Sequence, residues 1–225
     1  MSIDKVHLRK LLEYFGLPPE RRLAAVKADA RAEIRKDGGA SSDGGDFHSC
    51  FWADAKTFAA GKGDLLLMTQ GRVVGHKGRA RLYPALAQGY LTWWNEKRRW
   101  INEPIEVIPQ GVKAPYSFAE IGGTVKVENL LALKLGSSRH RLIYPYFSEK
   151  PTLTAEVARL GLWLMSQALR NYSPDDFRIL DVLRGQTFSI DKTPLQGNEG
   201  VVFVERYARM LADWREFLKE FRKPM

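Results

Sequence analysis

The chain of 225 residues has very little cysteine and no long apolar run. Cys50 is its single cysteine, so the sequence excludes an internal disulfide and every cysteine-rich zinc or iron–sulfur site. No stretch approaches the roughly 18 consecutive apolar residues that a membrane-spanning helix needs. The opening residues also lack the apolar core of a signal peptide. These features predict a cytoplasmic protein that does not associate with membranes.

Negative charge is also scarce in this chain. It carries 35 Lys and Arg residues against 26 Asp and Glu residues, a formal net charge of +9. Because a basic protein attracts polyanions at long range, nucleic acid is the predicted partner; the alternative is a basic protein whose charge serves only its solubility. Hydrophobic residues make up 44% of the chain and aromatic residues 11%, which is enough to bury a substantial core without disulfides or metals.

A glycine-rich stretch divides the chain. Residues 37–46 read DGGASSDGGD, and a segment of this composition cannot repay the entropy of ordering, so residues 38–46 are predicted to form a flexible joint. Before the joint, residues 1–37 predict an N-terminal helical segment, whose second helix has a thin apolar stripe and many cations. After it, residues 47–225 are predicted to form one α+β core domain.

The periodicity of the core domain alternates between helix and strand. Apolar residues recur at three-to-four-residue spacing in the helical stretches, while the strands are short apolar runs bounded by turn residues. The predicted fold is α+β, with an α-β-β-β-α-β core sheet, flanking helices and a long amphipathic C-terminal helix. Arg184 and Gly185 predict a hairpin turn after the last core strand. The core elements are a helix at 84–100, strands at 105–110, 124–136 and 140–147, a helix at 153–172 and a strand at 177–183, and the C-terminal helix covers 198–223.

This element order resembles the restriction-endonuclease-like core, the fold of the PD-(D/E)XK nucleases and their RecB-like relatives, over residues 84–183. In that family an acid on the second strand and an acid-x-lysine motif on the third meet a divalent metal ion at one edge of the sheet, where the metal activates water. The resemblance therefore implies a nuclease that uses Mg²⁺ or Mn²⁺. Its candidate catalytic residues are Glu128 in the second predicted strand, with Glu149 and Lys150 just beyond the third.

The third strand departs from the motif of that family. It reads Tyr-Pro-Tyr-Phe at 144–147, where the acid-x-lysine motif would stand, and Glu149 and Lys150 follow without a residue between them. We therefore predict a nucleic-acid-associated protein whose degenerate nuclease-like core acts by binding rather than cleavage, and for which no cofactor is predicted. The alternative that the resemblance keeps open is a divalent-metal-dependent nuclease of a bacterial mobile element or defence system.

A basic stretch interleaved with aromatic residues is the candidate binding surface. Between residues 72 and 100 there are seven Lys or Arg residues against one acid, Glu96. Cations neutralise phosphates, and aromatic faces can stack on unpaired bases. The aromatic residues recur at helical spacing, which favours their burial and leaves the cations as the exposed part. The predicted nucleic-acid-binding residues are Arg72, Lys77, Arg79, Arg81, Lys97, Arg98 and Arg99.

Two further features have simpler interpretations. Asp46, His48, Cys50 and Asp54 lie close together in the sequence. A zinc site or a Cys–His nucleophile needs further ligands or an orienting group, so a structural role is favoured for this cluster. The N-terminal basic helices and the apolar face of the C-terminal helix support a third functional hypothesis, a protein-interaction module that docks a partner through these helices.

Overall fold

The computed structural model describes residues 2–37, 47–97, 104–136 and 139–222. These residues form seven α-helices and two mixed β-sheets, which confirms the prediction of a chain that mixes helices with strands and ends in a long helix. None of the helices in these ranges is long and apolar enough to cross a membrane. The helices are α1 (Leu8–Gly16), α2 (Pro19–Asp37), α3 (Ser49–Ala59), α4 (Leu65–Gly75), α5 (Leu82–Thr92), α6 (Ala155–Ala168) and α7 (Glu199–Arg222). The strands are β1 (Lys5–His7), β2 (Ile105–Val107), β3 (Ala114–Phe118), β4 (Gly123–Val127), β5 (Leu131–Leu135), β6 (Arg139–Tyr146), β7 (Phe177–Asp181) and β8 (Gln186–Phe188).

The larger sheet has five strands in the order β2-β5-β6-β7-β8. β6 and β7 are parallel and are connected through α6, while the other neighbours are antiparallel. Side chains alternate between the two faces of a strand. In β6, Leu142, Tyr144 and Tyr146 pack into one hydrophobic cluster, whereas Ile143 packs into another. The sheet is therefore buried on both faces, which explains the nearly continuous apolar runs of its strands.

Helices α1, α2, α6 and α7 and the smaller sheet, β1-β4-β3, pack in the first of these clusters. Leu8 and Leu12 of α1 and Phe203 and Tyr207 of α7 are fully buried there. Residues of the predicted N-terminal segment, 1–37, thus share a hydrophobic core with the rest of the chain. The predicted joint at 38–46 lies outside the described residues.

The apolar face of α7 packs in the hydrophobic core. Its buried residues face α2, α6 and the small sheet, so a partner that docked on this stripe would have to displace the core. The prediction of an amphipathic C-terminal helix is confirmed, and a protein partner would have to contact a different surface of it. The buried apolar residues of α7 are Phe203, Tyr207, Met210, Leu211, Trp214 and Leu218.

Helices α3, α4 and α5 pack in the second cluster, against the other face of the large sheet. Tyr83 and Tyr90 are fully buried and Trp93 is 3% exposed, which confirms the predicted burial at these positions, whereas Trp94 is only partly buried and Trp100 lies outside the described residues. α5 approaches the chain just beyond β7 very closely at Gly89, where a Cβ atom would lie 2.1 Å from the carbonyl oxygen of Val182. Glycine is the residue without a Cβ, and this contact requires it.

The prediction of one continuous second core strand at 124–136 is wrong. The chain divides there into β4, in the small sheet, and β5, in the large sheet. Asn129 lies between them with a φ of 66°, a left-handed conformation that asparagine tolerates better than most residues. The sequence prediction also missed β1 and β3, because β1 has only 3 residues and β3 contains a proline, which cannot donate to a strand ladder. Glu128 therefore follows a strand of the small sheet.

The predicted hairpin after β7 is confirmed, with a longer loop than expected. Asp181 of β7 pairs with Gln186 of β8, so residues 182–185 form the loop. Gly185 has a φ of 55°, which glycine adopts without steric cost. This β7–β8 loop carries Arg184 towards the end of β6, since Asp181 is also the register partner of Tyr146.

Candidate functional site at the end of strand β6

The polar residues that follow β6 lie at one end of the large sheet. β6 ends at Tyr146, and Phe147 is buried in the cluster formed with α3 and α5. Ser148 is half-buried, and Glu149 and Lys150 are exposed. Because β6 and β7 are parallel, their carboxyl ends meet here. The predicted catalytic residues of the third strand therefore lie beside the β7–β8 loop.

Arg184, in that loop, is hydrogen-bonded to the backbone that follows β6. Its guanidinium group donates hydrogen bonds to the carboxylate of Asp181 at 2.9 Å, to the carbonyl oxygen of Ser148 at 3.3 Å and to that of Glu149 at 2.8 Å. Asp181 is fully buried. Burial raises the pKa of Asp181, although Arg184 acts in the opposite direction. The pair therefore fixes the position of the Glu149 backbone.

The side chain of Glu149 is held by Arg81 of the basic stretch. The two guanidinium nitrogens of Arg81 lie 2.5 and 2.6 Å from the two carboxylate oxygens. This bidentate contact holds the pKa of Glu149 below its ordinary value. Both side chains face solvent, with 75% of Arg81 and 45% of Glu149 exposed. A candidate catalytic acid and a candidate phosphate-binding cation are thus each other's counter-ions.

Glu128 has a different basic neighbour. Its carboxylate lies 2.9 Å from Nδ1 of His7, which belongs to β1, the parallel neighbour of β4. Within the described ranges, no group of three or more His, Cys, Asp or Glu side chains is placed to hold a metal ion. Each candidate acid therefore contacts a basic side chain, and neither belongs to such a cluster of ligands. The catalytic assignment of Glu128, Glu149 and Lys150 stays a prediction.

The basic stretch is partly built into the fold. Arg72 donates two hydrogen bonds to the carboxylate of Asp54, both at 2.9 Å, and Asp54 is only 7% exposed. The guanidinium carbon of Arg79 lies 5.3 Å from the centre of the Tyr83 ring. The Nε atom of Arg79 is buried and has no hydrogen-bond partner among the described residues. Arg72 and Arg79 therefore pack against α3 and α5 as well as carrying charge.

The remaining predicted cations of this stretch are more peripheral. Lys77, in a short 3₁₀ helix after α4, is exposed. Arg81 is exposed and pairs with Glu149, as described above. The side chain of Lys97 and the whole of Arg98 and Arg99 lie outside the described residues. Their part in nucleic-acid binding stays a prediction.

The residues considered as a metal site or a Cys–His nucleophile have separate partners in the structure. The Cys50 sulfur lies 3.9 Å from Nη2 of Arg79, whereas the His48 ring stacks on Phe147. Asp54 is already the partner of an arginine. Asp46 lies outside the described residues. These separate contacts support the structural interpretation of Cys50 and His48.

The stacked rings of His48 and Phe147 mark a feature that the sequence analysis missed. Their centres are 4.8 Å apart and their planes differ by 3°. Two cavities share these residues, and we call them the outer cleft and the inner pocket. The outer cleft, of about 430 Å³, is lined in addition by Glu13, Glu149 and Lys150. Burial raises the pKa of Glu13, and nearby cations partly oppose this shift.

The inner pocket is the smaller cavity, with a volume of about 120 Å³. Arg9 of α1 and Lys56 of α3 line it together with the stacked rings, and Asn129 contributes from the turn between the two sheets. The indole N–H of Trp52 donates to the carbonyl oxygen of Asn129 at 2.5 Å, which joins α3 to that turn. No local pattern links Arg9 with Lys56, because they meet only when α1 and α3 pack against the end of β6. Sequence periodicity therefore carried no signal for this pocket.

Comparison with known proteins does not identify a family for this chain. The sequence matches no protein-family model and no curated protein. The functional interpretation therefore rests on the residues and contacts described above.

Proposed function

We propose that this protein binds nucleic acid at the polar end of its large sheet and does not cleave it with a divalent metal. The observation that carries the proposal is the ion pair between Arg81 and Glu149. An acid that would have to ligate a metal is instead neutralised by a cation of the predicted binding surface. A metal-activated water requires carboxylates that converge on one ion, and the contact of Glu128 with His7 also favours binding over hydrolysis.

The order of elements in the large sheet supports relating it to a degenerate nuclease-like core. β2, β5 and β6 are antiparallel neighbours, and α6 leads to β7, which is parallel to β6. With β3 and β4 set aside in the small sheet, this order is compatible with the proposed α-β-β-β-α-β core. The end of β6 is where the nuclease family keeps its third-strand motif, so we place the proposed contact with nucleic acid there.

Three cations lie around Glu149, although one of them, Arg184, is paired with the buried Asp181, and Glu13 lines the same cleft. Arg81, Arg184 and Lys150 all act to lower the pKa of Glu149. Exposed ion pairs contribute little to stability, so a phosphate group can replace Glu149 as the partner of Arg81 with little loss to the fold. Lys77 is exposed in the turn that precedes α5. We define Lys77, Arg81 and Lys150 as the basic rim.

The test is the salt dependence of nucleic-acid binding by a rim variant. Lys77→Gln, Arg81→Gln and Lys150→Gln are combined, and binding to labelled single-stranded and duplex DNA and RNA is measured by fluorescence anisotropy across salt concentrations. Each lost phosphate contact lowers the salt slope by about 0.9 on duplex DNA, so the slope should fall by up to about 3 and the affinity by about tenfold or more.

A matched variant controls for total charge. Lys36→Gln, Arg209→Gln and Lys219→Gln remove the same number of charges from exposed positions on α2 and α7. This control should bind nearly as the wild type does. Equal losses in the two variants, or no binding by the wild type at low salt, would overturn the proposal. Cleavage in Mg²⁺ or Mn²⁺ that disappears in Glu128→Gln or Glu149→Gln would establish the nuclease alternative instead.

A further inference from the structure

The inner pocket concentrates basic side chains from two helical regions. Arg9, His48 and Lys56 line it, and none of its described lining residues is Asp or Glu, although Glu13 of the adjoining outer cleft interacts with Arg9 and His48. The guanidinium carbon of Arg9 lies 5.4 Å from the centre of the Phe147 ring, on which His48 is also stacked. Three nitrogen-bearing side chains thus border a space of about 120 Å³ that Trp52, Pro145 and Phe147 also line. A space of this size holds several water molecules.

Lys56 is poorly compensated among these side chains. It is half-buried, and burial lowers the pKa of its amine. Desolvation is the cause of this shift, and no Asp or Glu is among the described residues that line the pocket beside the amine. A cation that has lost water without gaining an anion is stabilised when an anion enters its surroundings.

The start of α3 adds to the positive potential of the pocket. Ser49, in the first turn of α3, is one of the lining residues. The first turn of a helix favours negative charge because its N–H groups point outward, yet this turn contains no acidic residue. The helix end therefore reinforces Arg9 and Lys56 in attracting an external anion.

We propose that the inner pocket binds one phosphate group, with Arg9, His48 and Lys56 as its ligands. Arginine and lysine are the usual cationic partners of phosphate, and a tetrahedral group with four oxygen atoms suits a space that holds several waters. The phosphate can be the end of a polynucleotide or part of a small phosphorylated compound. This proposal rests on the residues of the pocket and is independent of binding at the basic rim.

Calorimetric titration with inorganic phosphate tests the pocket by itself. Lys56→Gln removes the poorly compensated cation, and Lys62→Gln removes an exposed lysine just beyond α3 as the matched control. Loss of one charge-assisted hydrogen bond should weaken phosphate binding by about tenfold or more in Lys56→Gln. The control should bind as the wild type does. Arg9→Gln is a second variant in which the same loss is expected, and circular dichroism verifies that each variant is folded.

Equal phosphate binding by the wild type and both pocket variants would overturn the proposal, as would a wild type that does not bind phosphate at millimolar concentration. The source of the phosphate is identified with oligonucleotides that carry a 5′-phosphate or a 5′-hydroxyl, and with adenosine monophosphate. A preference for the phosphorylated end that is lost in Lys56→Gln supports a polynucleotide end as ligand. Pocket-dependent binding of the mononucleotide without that preference supports a small compound. If the protein binds inorganic phosphate but neither oligonucleotide, the proposed phosphate site is supported and the proposed nucleic-acid-binding function is contradicted.

Discussion

Two arginine–carboxylate pairs lie at the same end of the large sheet and differ in their surroundings. Asp181 has no exposed surface, and its partner Arg184 also holds two backbone carbonyl oxygens. Glu149 and Arg81 both face solvent and contact each other through their charged groups. Burial raises the pKa of Asp181, whereas the contact with Arg81 lowers that of Glu149. The same chemical pair is therefore buried with the backbone in one place and exposed to solvent in the other.

The role of an arginine depends on whether its partner carboxylate is buried. An arginine whose carboxylate is buried cannot leave it without exposing an uncompensated charge to the protein interior. An arginine whose carboxylate is hydrated can exchange it for phosphate. The number of charges does not distinguish Arg72, Arg81 and Arg184, whereas the burial of their partners separates Arg72 and Arg184, which support the fold, from Arg81, which we propose binds phosphate.

The largest effect is expected at the buried pair. Arg184→Met leaves Asp181 without its cation and releases the carbonyl oxygens of Ser148 and Glu149, so the free energy of unfolding should fall by about 3–5 kcal/mol. Urea denaturation measures the change. Adding Asp181→Asn to the same chain removes the buried charge and should recover part of the loss. A single variant as stable as the wild type would show that this pair does not brace the end of β6.

A smaller effect is expected at Arg72, whose partner Asp54 has a side chain that is 10% exposed. Arg72→Gln leaves this carboxylate with weaker hydrogen bonding, so the free energy of unfolding should fall by about 1–3 kcal/mol. The affinity for nucleic acid should remain close to that of the wild type. Arg81→Gln is the matched change, and it should weaken binding while hardly affecting stability. Equal losses of affinity in Arg72→Gln and Arg81→Gln would show that burial of the partner carboxylate does not separate the two arginines.

Local patterns in the sequence were sufficient for much of the fold. The apolar run of β6, the hairpin around Arg184 and the amphipathic stripe of α7 each involve contacts that periodicity encodes directly. The division of residues 124–136 between two sheets could not be predicted in this way. The two strands are separated by Asn129 in a left-handed conformation within an otherwise strand-like segment, and the period-2 pattern contains no signal for that conformation.

The site was less predictable than the fold because its contacts are distant in the sequence. The backbone N–H of Arg9 donates to the hydroxyl of Tyr144 at 2.8 Å across 135 positions, which sets α1 over β6 and carries the Arg9 side chain to the inner pocket. The sequence indicated that Glu149 lies at a polar strand end, but not that Arg81 would neutralise it. Pairing between distant side chains follows from tertiary packing, and a single sequence contains no periodic signal for it.

The smallest expected effect is on the pH dependence of stability, to which Glu149 and Asp181 should contribute with opposite signs. The pKa of Glu149 lies below its ordinary 4.5 in the folded protein, so its contribution to stability is present above pH 4.5 and is lost as the pH falls through the folded value. The pKa of Asp181 lies above its ordinary 3.8, so its contribution is present below pH 3.8 and is lost as the pH rises through the folded value. Thermal denaturation of Glu149→Gln and Asp181→Asn should therefore show opposite pH trends relative to the wild type between about pH 3 and pH 7. Trends of the same sign would mean that the exposed and buried pairs do not differ in the way their surroundings imply.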